Sequence, residues 1–210
     1  MVVREGTHPG RRASAGDADA PPAFLAATAS LQAARLRPEI LCEQMPAPQR
    51  IAPHATALSA DVTVDDLDVA TGRLILLHDP AGNDAWAGGV FRFVAYARAE
   101  VELEFVNDPM LGEVGWSWLL EALEAHGAAF AAASGTVTRV ATEGFGAMAD
   151  DETNAQLEIR ASWTPLPASE AQPDLAAHAE AWGELLCTAA GLPPVPEGVA
   201  IIPSRRGQRG

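Results

Sequence analysis

From residue 91 the chain alternates. Phe91, Phe93, Ala95, Ala97, Ala99, Val101, Leu103 and Phe105 are separated by Arg92, Val94, Tyr96, Arg98, Glu100, Glu102 and Glu104. A period of two sends successive side chains to opposite faces of a strand. The stretch therefore predicts one long antiparallel strand, apolar on one face and charged on the other. Residues 55–62 and the apolar run Arg73-Leu74-Ile75-Leu76-Leu77-His78 predict two strands before it. Residues 136–143, rich in Thr and Val, and the alternating Ala155, Leu157, Ile159, Ala161 and Trp163 predict two after it. Asp65-Asp66-Leu67-Asp68 and Asp79-Pro80-Ala81-Gly82-Asn83-Asp84 read as turns by their chemistry.

The pattern changes to helical spacing three times. Phe24, Leu25, Thr28, Leu31 and Arg35 predict a helix over residues 22–36, stopped by Pro38, and Pro46, Pro48 and Pro53 then punctuate an extended segment. Asp108-Pro109 has the order of an N-cap followed by a first-turn proline and opens a second helix. Its apolar arc is Val114, Trp118, Leu119, Ala122, Leu123 and Phe130, with Trp116 and Leu120 at the edge. Trp118 is expected deep in the core, where its loss to alanine would cost more than ~3 kcal/mol. A third helix starts after Pro173, with Asp174 in its first turn. It buries Leu175, Ala179, Trp182 and Leu186 and ends at Gly191 and Pro193-Pro194.

The order is α-βββ-α-ββ-α. It predicts an α+β fold in two layers, with an antiparallel sheet of about five strands and helices on its apolar face. Residues 22–203 form a single domain on this reading. Residues 1–21, rich in Gly, Ala, Asp, Pro and Arg, are expected as a disordered tail, and residues 204–210 as a flexible basic one.

Charge narrows the function. The chain has 210 residues and a net charge of −14, and all 14 of its basic residues are arginine. Between residues 13 and 203, eight arginines oppose 27 acids, a net −19 partly hidden by basic ends. Such a field repels nucleic acid and anionic membrane surfaces, so neither is expected as a partner. No apolar run approaches the ~18 residues that would cross a bilayer, and the N-terminus lacks the apolar region of a secretory signal. The expected compartment is the cytoplasm, with Cys42 and Cys187 as two buried thiols. A chain without lysine has no Schiff-base lysine, Walker A lysine, kinase lysine or Ser-Lys pair.

The remaining candidate chemistry is sparse. His78 and Asp79 stand at a strand end beside the loop that carries Asp84 and Trp86, a candidate ligand loop in which a His/carboxylate pair could move a proton. Turn capping by Asp79 and a partly buried His78 explain the same residues. Gly82, Gly88 and Gly89 lie in a hairpin loop and not ahead of a helix, so they do not make a phosphate cradle. His54, His126 and His178 are scattered, and neither a metal site nor a cofactor is expected. No nucleophile signature surrounds Cys42, Cys187, Ser134 or Ser162. Glu100, Glu102 and Glu104 stack on one expected strand face, with Arg92, Arg98 and Arg160 available as cross-strand partners on a solvated sheet.

Several fragments, taken in order, carry a resemblance. They are Ala47-Pro48-Gln49-Arg50-Ile51-Ala52-Pro53, Gly72-Arg73-Leu74-Ile75-Leu76-Leu77-His78-Asp79-Pro80 and Glu113-Val114-Gly115-Trp116-Ser117-Trp118-Leu119, then Ser134-Gly135-Thr136-Val137-Thr138, Arg160-Ala161-Ser162-Trp163-Thr164-Pro165 and Gly191-Leu192-Pro193-Pro194. Together they resemble a bacterial family, domain-of-unknown-function family 3000, over roughly residues 24–206. The family has no assigned activity, cofactor or catalytic residue, so the resemblance implies none. The element order alone is similar to that of the small acidic chaperones of type III secretion, which are dimeric and bind extended segments of other proteins.

The function expected is a non-enzymatic interaction domain, adaptor- or chaperone-like, working through an apolar patch on an acidic surface. Its expected partner is another protein or a second copy of itself, and its candidate partner surface is Trp86, Trp116 and Leu120. The alternative is a small ligand-binding protein or enzyme that uses the His78–Asp84 loop.

Overall fold

Alanines and a glycine shape the middle of this molecule. In the computed structural model, which describes residues 20–149, 154–167 and 175–194, six strands form one antiparallel sheet. They are β1 (Ile40–Met45), β2 (His54–Val64), β3 (Leu67–His78), β4 (Phe91–Glu100), β5 (Phe130–Thr142) and β6 (Asn154–Pro165). The spatial order is β1-β2-β3-β4-β6-β5, so β6 inserts between β4 and β5. Four helices accompany them: α1 (Pro22–Gln32), α2 (Leu103–Val106), α3 (Leu111–Ala125) and α4 (Leu175–Ala189). The α+β class and the helices on one face stand as expected.

The alternation of β4 sorts its side chains. Phe91, Phe93, Ala95, Ala97 and Ala99 are buried on the face that α4 covers. The small residues lower the sheet surface there. At Gly72 of β3, an added Cβ would lie 2.8–2.9 Å from Leu186 and Trp182 atoms, so α4 sits where only a glycine lets it. Trp182 fills the trough with no exposure, and its indole N–H donates to the Tyr96 carbonyl at 3.4 Å. Helix α4 also packs against α1 and α3, and α3 packs on β5. Trp163 is equally buried, and its N–H donates to His178 Nδ1 at 3.1 Å, which holds that imidazole with Nδ1 unprotonated. Gly191, at φ 75°, closes α4: its neighbour Leu192 donates to the Cys187 carbonyl, the pairing of a Schellman end.

Several boundaries differ from the sequence reading: α1 ends at Gln32 and not at residue 36, and β3 starts at Leu67, six residues before Arg73. The sheet has six strands and not five. β1 lies between Pro38 and Pro46 in the segment read as merely extended, and it forms one edge. β4 stops at Glu100: Val101 still donates to the Ala155 carbonyl of β6 at 3.0 Å, but Glu102 is the N-cap of α2, so Leu103 and Phe105 are helix and not strand residues. β5 starts at Phe130, six residues earlier than expected, so Phe130 belongs to the sheet and not to the arc of α3. The acidic turn shrinks to Asp65-Asp66, both at positive φ, as a two-residue hairpin with right-handed strand twist demands. Asp108 is not the N-cap expected of it: it accepts from the Met110 N–H at 2.8 Å in a turn ahead of α3, whose N-cap is Met110 with no side-chain cap bond, so Pro109 also lies before the helix. The expected tails, the acidic run Asp150-Asp151-Glu152, and Pro173 and Asp174 lie outside the described residues, apart from Ala20 and Pro21. Among the described residues no helix is long and apolar enough to cross a membrane.

Candidate functional site

The His78–Asp84 loop does not assemble a catalytic pair. His78 is the last residue of β3 and faces the helix layer, buried in an aromatic stack with Phe91 at 4.6 Å and Phe24 and His54 at 5.7 Å. Asp79 instead accepts from the Ala81 N–H at 3.1 Å, the turn-capping role, and Asp84 opens a short 3-10 turn at the surface. No hydrogen bond or ion pair joins His78 to either carboxylate among the described residues, and its Nδ1 has no partner there. Burial and the neighbouring His54 hold the imidazole below its ordinary protonation range. The unfolded chain then binds this proton more readily than the fold does. The stability His78 contributes is present above pH ~6.5 and falls as pH drops through the imidazole range. A tenfold difference in proton affinity corresponds to about 1.4 kcal/mol. Denaturant melts at pH 7.5 and 5.5 are expected to show a smaller acid-induced loss in His78→Phe than in the wild type. Equal losses would show that His78 plays no part.

Trp86 folds back. It is 9% exposed, and its carbonyl accepts from the buried Thr164 hydroxyl at 2.9 Å. Thr164 follows Trp163 in β6 and so points to the sheet face opposite the helices. Trp116 and Leu120 are half-buried on α3, on the helix side. An added Cβ at Gly135 would meet Trp116 Cζ3 at 2.7 Å, so that indole lies over β5. The three residues read as a partner surface thus fall on two sides of the sheet.

One group of exposed apolar side chains lies beside a groove. Where β4 gives way to α2, the chain presents Leu103, Phe105, Met110 and Val114, with Phe105 56% and Met110 53% exposed. Val101, Phe105, Leu111, Val114 and Trp118 line a groove of about 510 Å³ that runs to the C-terminal end of α4 at residues 188–191. Trp118 forms its wall, half-buried and not in the core arc expected of it. The charged lining residues are Glu100, Glu102 and Asp108, all exposed and all acidic. Arg139 of β5 donates to the Val106 and Asp108 carbonyls and so fixes the turn between α2 and α3. Sequence reading missed Phe105 because a two-residue period continues through it; the helix-opening Asp108-Pro109 three residues on was the signal that the strand had already ended.

The two thiols are free. Burial pushes Cys187 up to about 12, and burial also raises the half-buried Cys42, so neither carries thiolate character at neutral pH. Among the described residues no three His, Cys, Asp or Glu side chains gather where a metal ion could be held.

No curated protein and no solved structure matches the chain. The family model "Protein of unknown function (DUF3000)" matches residues 20–200, which contain every strand and helix described above, and the chain belongs to that family.

Proposed function

We propose that this chain is a non-enzymatic, adaptor- or chaperone-like interaction domain that binds a basic, apolar segment of another protein in the groove beside α2. The observation that carries the reading is the exposed apolar wall of Phe105 and Val114 under a rim of Glu100, Glu102 and Asp108. Large apolar side chains grouped on a surface mark interaction sites. The acidic rim selects the sign of the partner, since cationic side chains flanking an apolar anchor would be drawn to it and anionic ones turned away. The free thiols fit a reducing compartment, and the reading places the chain in the cytoplasm.

Photocrosslinking in native lysate tests this. A crosslinking residue at Met110 is expected to capture peptides of another protein that carry both Arg or Lys and large apolar residues. The capture should disappear in Phe105→Asp and be absent from the same probe at Leu41 on the far edge strand. Crosslinks that persist in Phe105→Asp would contradict the reading. So would crosslinks to a second copy, or to residues 195–203 of the same chain.

A further inference from the structure

One cleft on the sheet face away from the helices has the opposite electrostatic character to the groove. Antiparallel pairing lines up Arg73, Tyr96, Arg160 and Thr136 as one row across β3, β4, β6 and β5. The next row is Ile75, Val94, Ser162 and Ser134. These residues line a shallow cleft of about 770 Å³ in which the charged lining residues are Arg73 and Arg160. In the next row of β4, under the end where the Trp86 loop folds back, stands Arg92.

Arg92 is only 7% exposed, and it was expected on a solvated face beside carboxylates. Its guanidinium donates instead to Thr164 Oγ1 at 3.0 Å, to Ser162 Oγ at 2.7 Å and to the Ser162 carbonyl at 3.2 Å, with Ser134 Oγ at 3.4 Å. Every acceptor is neutral. Buried guanidinium groups are ordinarily met by a carboxylate, and none lies within ion-pair distance of Arg92 among the described residues. Burial lowers its proton affinity, with no counter-charge to restore it. Arg73 makes no ion pair among the described residues either. Arg160 pairs with Glu158 at 2.7 Å, and Glu158 also accepts from the Tyr96 hydroxyl, so one of the three positive charges is offset.

We propose that this cleft is a binding site for a small organic dianion, a phosphate monoester or a dicarboxylate, held by Arg73 and Arg160 at one end and by Ser162 and Ser134, backed by the buried Arg92, at the other. Two uncompensated positive charges in a strongly acidic protein set the ligand's charge. Ser162 and Ser134 accept from Arg92 and share a hydrogen bond at 3.4 Å in which one hydroxyl donates to the other, which leaves the second O–H to turn toward an oxyanion and carries the positive field of Arg92 to the cleft wall. Ile75 and Val94 lie between the charged ends and give a short carbon skeleton an apolar floor. A polynucleotide is too large and too highly charged to meet this cleft without also meeting the acidic remainder of the surface.

Calorimetric titration of the full chain at constant ionic strength tests the site, with inorganic phosphate, glycerol 3-phosphate, succinate and acetate as probes. Saturable binding of a dianion about tenfold or more tighter than acetate is expected. Binding confined to the two phosphates would identify the phosphate class, and binding of succinate the dicarboxylate class; either supports the site. Arg73→Gln, at an exposed side chain with no ion pair among the described residues, is expected to weaken binding about fivefold with an unchanged melting temperature. Arg73→Gln combined with Arg160→Gln should abolish it, because Glu158 is then left unpaired beside the cleft. Dianions that bind no better than acetate, or undiminished binding in the double variant, would overturn the proposal.

Discussion

Replacing Trp182 with alanine is expected to remove about 4 kcal/mol of stability, a large fraction of what a single domain has to lose. The indole has no exposed surface and lies in the trough formed by Gly72 and the alanines of β4, with its Cζ2 2.9 Å from where a Cβ on Gly72 would stand. Cutting it back leaves a cavity that the sheet cannot close, because the neighbouring side chains are already small, and it strips α4 of its anchor over β3 and β4. The N–H donated to the Tyr96 carbonyl disappears with it. Denaturant unfolding followed by far-UV circular dichroism measures the loss; a change below about 1 kcal/mol would mean that α4 does not pack as described. Trp118→Ala is expected to cost less, since Trp118 lines the groove and keeps solvent contact.

A substitution that adds a single carbon is expected to be almost as damaging. At Gly135 of β5, a Cβ would fall 2.2 Å from the Arg160 carbonyl oxygen, 2.7 Å from Trp116 and 3.0 Å from the Ala161 Cα. Two of the three obstacles are backbone of the paired strand, which cannot rotate away. Gly135→Ala must therefore push β5 from β6 or displace the indole, at a cost of about 3 kcal/mol, the upper end of what overpacking commonly does. Ser134 and Thr136 flank this position and belong to the arginine-lined cleft, so the variant is also expected to weaken anion binding. An unchanged melting temperature would show that β5 is not held against β6 and Trp116 as described. Gly115→Ala serves as the comparison: its Cβ would meet side-chain atoms no closer than 3.4 Å, and little loss is expected there.

The parts of this fold that were legible in the sequence are those where one residue face meets one environment. The alternation of residues 91–99 and 155–163 identified the two central strands and their buried faces, because α4 covers one side of both. The stripe of Leu175, Ala179, Trp182 and Leu186 identified α4 for the same reason. β1 escaped because Ile40–Met45 is an edge strand whose burial does not alternate cleanly, and because prolines on both sides resemble a loop. Beyond Glu100 the same alternation misled, since Leu103 and Phe105 remain apolar with no core to face.

The sites were less legible still. Arg92 has the sequence context of a solvated strand residue. Only the register that brings Ser162, Thr164 and Ser134 around it, together with the loop that buries it, reveals a guanidinium without a carboxylate. Arg73 and Arg160 are 87 residues apart in sequence and share a row only because β6 inserts beside β4. The groove likewise joins α2 to the end of α4 across a separation that no local pattern records. An interaction domain was expected from composition, but Phe105 and Val114 replace Trp86, Trp116 and Leu120 as its proposed surface.

The most direct measurement is the affinity of the segment captured at Met110, synthesised as a peptide, for the wild-type chain and for Phe105→Asp at low and high salt. The groove reading predicts binding at least tenfold weaker in Phe105→Asp, from the lost apolar anchor and the added charge within it. It also predicts wild-type binding that weakens with salt, as attraction between a basic segment and the rim of Glu100, Glu102 and Asp108 requires. Equal affinity for the two proteins, or binding indifferent to salt, would contradict it.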